Sequence, residues 1–129
     1  MNKNDSIAMD TLNKVIGDLE TRLVKQQSRI KTLDNHYKSL GDRIVLAYEK
    51  YYDANPRPEI MNVSWRHKFM NSEEHKIITI LELRAGDMED NLNFLADQYN
   101  THNTELTNLI HLRKLIESKL KKEQANNPE

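Results

Sequence analysis

The 129-residue chain has no cysteine, few glycines and prolines, and few apolar residues. The absence of cysteine excludes disulfides, thiolate metal sites and a cysteine nucleophile. Three Gly and three Pro leave few positions suited to tight turns, which disfavours a fold of many short strands. Only 37% of the residues are hydrophobic and 30% are charged, whereas a compact domain usually carries about 45–50% apolar residues. The composition therefore argues against a thick globular core.

The charge is nearly balanced and no long apolar run is present. A formal net charge of -1 provides no global attraction to DNA or to an anionic membrane, so electrostatic binding has to come from a local patch. The longest apolar run, residues 44–48, is far shorter than the roughly 20 residues that span a bilayer. The first residues lack the apolar stretch of a signal peptide. We therefore expect a cytoplasmic protein without a membrane partner.

Apolar side chains in the first half recur in alternating steps of three and four, which is the heptad rule of a coiled-coil seam. The seam residues are Met9, Leu12, Ile16, Leu19, Leu23, Gln26, Ile30, Leu33, Tyr37, Leu40, Ile44, Ala47 and Tyr51. This seam predicts one continuous helix over residues 6–53.

The second half repeats the pattern over an equal length. Its seam residues are Ile78, Leu81, Ala85, Met88, Leu92, Leu95, Tyr99, His102, Leu106, Leu109, Arg113, Ile116 and Leu120. A helix over residues 72–122 is predicted, with Asn71 as its cap and Glu74 three residues later. Residues 123–129 are expected to be a frayed tail.

The connection over residues 54–71 contains Pro56 and Pro58, which end the first helix. It is long enough for an antiparallel return, and we expect it to be ordered or partly ordered. Two matched seams predict an all-α fold of one domain, a long antiparallel two-helix coiled-coil hairpin. Each helix of about 48 residues would be about 70 Å long.

Gln26 and His102 are polar exceptions within the two seams. Antiparallel pairing allows two nearby registers, in which the numbers of facing residues add up to 125 or to 132. Either register places Gln26 and His102 in adjacent layers, close enough to bond directly or through water. A single polar layer in an apolar seam typically fixes the register at some cost in stability, so we predict that this pair sets the register. The alternative is a functional role for His102.

Apolar residues outside the seams form two groups. The group near the turn consists of Val45, Leu46, Tyr48, Tyr52, Ile77, Ile80 and Leu83. We expect the connection to cover it with Ile60, Met61, Val63, Trp65, Phe69 and Met70. Nothing in the chain obviously covers the group near the termini, which predicts self-association there. The alternative is that Ile7 and Ala8 partly bury this group. The candidate oligomer interface consists of Val15, Val24, Leu106, Ile110, Leu112 and Leu115.

Aromatic and basic residues alternate in the segment from Trp65 to Phe69. Single-stranded nucleic acid needs this combination, because bases stack on rings while cations neutralise phosphates. The alternative interpretation is that Trp65 and Phe69 only close the turn end of the hairpin. The candidate nucleic-acid contacts are Arg57, Trp65, Arg66, Lys68, Phe69 and Lys76, with Arg43 and Lys50 on the first helix.

Catalytic motifs are absent from the sequence. The five histidines form no HExxH motif, and there is no glycine-rich phosphate loop or nucleophile elbow. We therefore expect a protein that is not an enzyme and that has no metal, cofactor or small-molecule substrate.

Residues 5–52 resemble the first helical segment of the UvsY family of phage recombination mediators. The likeness rests on Asp5-Ser6, Ser28-x-Ile30-Lys31 and Tyr51-Tyr52 before a polar turn. The segment Leu106–Ile116 is similar to the closing amphipathic stretch of that family. The resemblance implies a ring of helical hairpins that binds single-stranded DNA in the phage's host cytoplasm. It also implies two protein partners, a recombinase and the single-strand-binding protein that coats the DNA.

Two other functions are compatible with the same fold. In shape the predicted hairpin resembles the FliJ/YscO stalk proteins, which insert into the hexameric ATPase ring of flagellar or type III export and bind no nucleic acid. A phage scaffold or tail adaptor that uses only the apolar terminal group is the third alternative.

Overall fold

The two seams lie on two long helices. The structure, a computed structural model, describes residues 3–60 and 62–126 and contains helices α1 (Lys3–Ala54), α2 (Val63–Met70) and α3 (Glu73–Asn126). No strand occurs among these residues, which confirms the all-α prediction. Helices α1 and α3 pack together as the hairpin interpretation requires. Their direction is antiparallel, because Asn13 bonds to Arg113 while Gln26 bonds to His102.

Both long helices extend past the expected ends. Helix α1 begins three residues before residue 6, and α3 continues through residues 123–126, which we had expected to be frayed. Lys121, Lys122 and Glu123 favour helix intrinsically, so nothing local ends α3 at residue 122. The remainder of the expected tail, residues 127–129, lies outside the described residues.

The contacts divide the chain into two compact units. The terminal unit combines Met1–Arg29 with Leu95–Glu129, and the turn unit is Ile30–Phe94. A seam residue contacts only its neighbours along its own helix and across the helix pair, so the apolar side chains do not form a single contact cluster.

The core of the terminal unit consists of leucine and isoleucine side chains. Its buried residues are Leu12, Ile16, Leu19, Leu23, Leu95 and Leu120. Full burial of such a side chain contributes about 1.5–3 kcal/mol. Arg113, a charged member of the seam, is half-buried, and its Nη1 atom donates to Asn13 Oδ1 at 3.2 Å.

The core of the turn unit consists of Leu40, Tyr51, Ile78 and Leu81. Tyr51 and Ile78 are each only 2% exposed, so this core is tightest where α1 ends and α3 begins. The remaining seam residues of this unit are half-buried, as the heptad pattern predicts for a pair of helices.

The connection contains the short helix α2, which no pattern in the sequence predicts. Asn62 caps it, since its Oδ1 atom accepts from the backbone N–H of Trp65 at 2.7 Å. Asn71 ends it by donating from Nδ2 to the carbonyl of His67 at 2.9 Å. The prediction that Asn71 caps α3 was therefore wrong. Ser72 does so, because its Oγ accepts from the backbone N–H of His75 at 3.1 Å.

Candidate nucleic-acid interface

Six rings from three helices meet in the turn unit, and we call them the aromatic cluster. Its members are Tyr48, Tyr51 and Tyr52 from α1, Trp65 and Phe69 from α2, and His75 from α3. The closest pair is Tyr51 with Phe69, whose ring centroids are 4.8 Å apart in an edge-to-face arrangement. Aromatic pairs of this kind contribute about 0.5–1.5 kcal/mol beyond their buried area.

Helical spacing explains why these rings meet. Tyr48 and Tyr52 are one turn apart on α1, and Trp65 and Phe69 are one turn apart on α2, so each pair shares a face. Trp65 stacks on Tyr52 at 6.0 Å and on Phe69 at 5.9 Å. The two α2 rings are half-buried and attach α2 to α1. This geometry favours the interpretation that Trp65 and Phe69 close the turn end.

Two polar atoms of the cluster are buried without a hydrogen-bond partner. They are the Tyr51 hydroxyl oxygen and the Trp65 indole nitrogen. An unsatisfied buried donor costs about 1–3 kcal/mol. A ligand on the surface of α2 cannot reach the indole N–H unless the ring moves, so Trp65 offers no hydrogen bond to a base in this conformation.

Arg57 covers part of the aromatic cluster from outside. Its guanidinium carbon lies 4.9 Å from the Tyr52 ring centroid and 5.9 Å from that of Trp65. Its Nη2 atom also donates to the Tyr52 hydroxyl oxygen at 3.3 Å. A cation over a ring at such distances is attracted by the π-face. Arg57 therefore occupies a ring face on which a base could otherwise stack.

The exposed cations near the cluster fall into two sets. Arg66 and Lys68 project from α2, and both are exposed. The stretch from residue 60 to residue 72 contains these two cations and no acidic residue, and it is flanked by Glu59 on one side and by Glu73 and Glu74 on the other. Lys76 differs, since its Nζ lies 3.1 Å from Glu73 Oε1 in an exposed ion pair that offsets its charge.

Arg43 and Lys50 are not brought together with the other candidates. They are seven residues apart and therefore share one face of α1. Tyr48 and Tyr52, which contact α2, lie two positions from Lys50, a rotation of about 200° around the helix. The two cations consequently lie on the side of α1 away from the aromatic cluster.

Tyr48 is tied to α3 by a bond that affects its ionisation. Its hydroxyl donates to Glu82 Oε1 at 3.3 Å. Partial burial, followed by the nearby Glu82 carboxylate and the hydrogen bond to it, raises the pKa of Tyr48 above its usual value of 10.0. The sequence had placed Tyr48 only among residues needing cover, and no signal in the heptad pattern identifies its partner.

The connection covers less apolar surface than we expected. Tyr48 and Tyr52 are packed, but five aliphatic members of the turn group stay 50–67% exposed. They are Val45, Leu46, Ile77, Ile80 and Leu83. Ile60, Val63 and Met70 are themselves 83%, 83% and 63% exposed, and Met61 lies outside the described residues. Because α2 has only eight residues and uses its Trp65–Phe69 face on the tyrosines, it cannot reach the others.

In the terminal unit the structure brings Gln26 and His102 together. The His102 Nδ1 atom lies 2.8 Å from Gln26 Nε2 and 3.1 Å from Gln26 Oε1, and both side chains are half-buried. The ring can accept from the amide nitrogen or donate to the amide oxygen, so Nδ1 has a partner in either tautomer. That the pair sets the register stays a prediction.

An open apolar groove follows one side of the terminal unit, and we call it the terminal groove. Helix α1 lines it with Ala8, Thr11, Leu12 and Val15. Helix α3 contributes Leu109, Leu112 and Ile116, and the groove has a volume of about 390 Å³.

The terminal groove includes only part of the candidate oligomer interface. Val15 and Leu112 line it and are both 45% exposed. The other candidates are not among its lining residues: Val24 and Leu115 are exposed, whereas Leu106 and Ile110 are half-buried.

Over residues 3–60 and 62–126, no group of three or more His, Cys, Asp or Glu side chains could hold a metal ion. In the same part of the chain, none of the helices has the length and apolar character required to cross a membrane.

Comparisons of the chain with protein-family models, with curated proteins and with solved structures gave no match in any of the three. The fold and the cluster define a class, a helical hairpin with an aromatic turn. The likeness to recombination mediators rests on the residues quoted from the sequence.

Proposed function

We propose that this protein acts by binding, without catalysis, and that its ligand is single-stranded DNA held by the turn unit. One observation carries the proposal: Arg66 and Lys68 are exposed on α2, within a thirteen-residue stretch that contains no acid. Arg57 adds a third cation over the aromatic cluster. Local positive charge of this kind is what a chain of net charge -1 needs to attract phosphates.

Phosphate contacts and base stacking place different demands on this structure. Arg66 and Lys68 can neutralise phosphates without any rearrangement, because both side chains are already in solvent. A base can stack only after Arg57 leaves the Tyr52 ring, since the guanidinium occupies that face. In this mechanism Arg57 moves from ring to phosphate while a base takes its place on the ring. The contacts are independent of sequence, because every base has a π-face.

The direct test is fluorescence anisotropy of a dye-labelled oligonucleotide titrated with the protein. Three cations predict that log K falls with log salt with a slope of about -2, at roughly 0.7 per neutralised phosphate on a single strand. The double variant Arg66→Glu, Lys68→Glu should abolish binding at low salt. The matched control is Lys121→Glu with Lys122→Glu, which makes the same charge change on exposed residues of the terminal unit.

Fluorescence of Trp65, the only tryptophan, reports separately on the base contact. Quenching by the oligonucleotide in the wild type is expected if bases reach the cluster. Two results would contradict the proposal. The first is an anisotropy that does not rise when the wild type is added at low salt, and the second is an equal loss of binding in both double variants.

The wider role that we propose is the one implied by the resemblance, an accessory protein in phage recombination and repair. In that role the protein would help to load a recombinase onto strands coated by single-strand-binding protein. A strand-exchange assay on coated DNA tests it, because the wild type should shorten the lag and the Arg66, Lys68 double variant should not.

A second candidate function is a protein-binding adaptor, such as an export-ATPase stalk or a phage assembly adaptor. The observation that favours it is the exposure of five aliphatic side chains near the turn, which the connection leaves uncovered. Retrieval of a hexameric ATPase by the immobilised protein, with no anisotropy change on DNA, would support the stalk.

A further inference from the structure

We infer that two copies of this chain bind each other through opposite charges, with a basic patch on α1 of one copy against an acidic patch on α3 of the other. The basic patch, in the terminal unit, consists of Arg22, Lys25 and Arg29. The acidic patch, in the turn unit, consists of Asp87, Asp90 and Phe94. All six side chains are exposed, so both patches are accessible to a partner.

The basic patch lies in the acid-free stretch of the chain that carries the most cations. Residues 21–33 contain four cations and no acid, whereas residues 60–72, a stretch of equal length, contain two cations. Arg22, Lys25 and Arg29 follow one another in steps of three and four, so they share one face of α1. This face is therefore locally positive, although the chain as a whole has a net charge of -1.

The acidic patch lies in a stretch of the opposite charge. Residues 85–112 contain five acids and no lysine or arginine. Asp87, Asp90 and Phe94 also follow one another in steps of three and four, so they share one face of α3. The Phe94 ring is 62% exposed beside these carboxylates. Carboxylates and the face of an aromatic ring both attract cations, so the whole patch suits a basic partner.

Neither patch is neutralised by an ion pair within its own chain. In the part of the chain that the structure describes, both ion pairs join neighbouring residues of α1 or α3, and neither includes a patch residue. Arg22 lines a depression together with Asp18 and Glu105, which offset part of its charge. Lys25 and Arg29 are not among the lining residues of that depression, so they are the main cations left for a partner.

The two patches match in spacing as well as in charge. Both have a step of three followed by a step of four, so two helices that run side by side in the same direction align the patches residue by residue. The first two cations then face the two aspartates. The third, Arg29, faces Phe94, whose ring can accept a guanidinium on its π-face.

This match identifies the partner as a second copy. A nucleic acid would match only the basic patch and would be repelled by the acidic one, whereas another copy of the chain supplies the complement of each patch.

Sedimentation equilibrium of the whole chain, without DNA, at low and high salt tests the inference. The wild type should exceed the 15.2 kDa of one chain at low salt. Its mass should fall as salt is added, because salt screens exposed charges. Two double variants, Lys25→Glu with Arg29→Glu and Asp87→Lys with Asp90→Lys, should each weaken this association at least about 10-fold, because like charges then face each other.

Mixing the two double variants gives the sharpest readout. An equimolar mixture should associate again, because each reversed or unchanged patch of one variant then meets an opposite charge on the other. The matched control is Lys121→Glu with Lys122→Glu, which makes the same change in net charge on exposed residues near the end of α3. It should associate as the wild type does. Circular dichroism of every variant shows whether the helices are retained.

Three results would overturn the inference. They are a wild type that stays at 15.2 kDa at low salt, a mixture of folded variants that does not associate, and a control that dissociates as the patch variants do. If the wild type is monomeric and Lys25→Glu with Arg29→Glu lowers the affinity for an oligonucleotide, the basic patch binds phosphates instead of a second copy.

Discussion

Replacing Gln26 and His102 by leucine, singly and together, tests whether the polar layer determines how α1 and α3 align. Both side chains are half-buried, and the His102 ring has both amide atoms of Gln26 within 3.1 Å. Gln26→Leu leaves the ring nitrogen without its amide, and His102→Leu leaves the amide without its ring. The double variant leaves neither group unpaired and continues the leucine seam through the layer.

The single and double variants should change the stability in opposite directions. A buried group that loses its partner costs about 1–3 kcal/mol, and half burial lets water restore part of this, so each single variant should lose about 1 kcal/mol. The double variant removes both desolvated groups and adds apolar burial, so it should be about 1 kcal/mol more stable than the wild type. The coupling between the two positions is then about 3 kcal/mol, at the upper end for residues in contact.

Urea unfolding followed by circular dichroism at one protein concentration gives the three differences in the free energy of unfolding. Alignment is read from an amide NMR spectrum, in which the double variant should show extra resonances from a second register. A double variant that is less stable than either single variant, and that keeps one set of resonances, would refute the reasoning.

Two further predictions concern the helical glycines and Tyr48. Alanine at the three helical glycines should stabilise the protein by about 1 kcal/mol per site in thermal unfolding, because an added Cβ meets nothing within 4 Å. The sites are Gly17, Gly41 and Gly86. Tyr48 should ionise above pH 10.0, because its pKa is raised in the folded protein. Its contribution to stability should be fully present below pH 10.0 and should be lost as the pH rises through the raised pKa of the folded state. Glu82→Gln should lower this pKa in a phenolate absorbance titration, with Tyr48→Phe identifying the signal. Unchanged melting of the glycine variants, or identical titrations of wild type and Tyr48→Phe, would contradict these expectations.

The long helices could be predicted because a heptad pattern needs no distant partner to be recognised. Each seam residue in α1, from Met9 to Tyr51, is buried or half-buried, and the same holds from Ile78 to Leu120 in α3. The meeting of Gln26 with His102 followed from the same pattern, since both registers place them in adjacent layers. Periodicity therefore identified both the helices and the polar exception between them.

Helix α2 could not be predicted in this way, because eight residues are too few to show a period. It depends on the Asn62 cap and on the packing of Trp65 and Phe69 against tyrosines of α1. Once α2 exists, Asn71 is used to end it, and the cap of α3 passes to Ser72. Packing of α2 against α1 therefore determines that Ser72, and not Asn71, caps α3.

The aromatic cluster limits what the turn unit can recognise. Trp65 and Phe69 hold α2 in place, and the indole nitrogen and the Tyr51 hydroxyl are buried. Hydrogen-bond readout of a base by these atoms would therefore require α2 to detach, at the cost of several aromatic contacts. Exposed cations such as Arg66 and Lys68 can act without that cost. If this surface binds nucleic acid, its affinity should come mainly from phosphates, with steep salt dependence and little sequence preference.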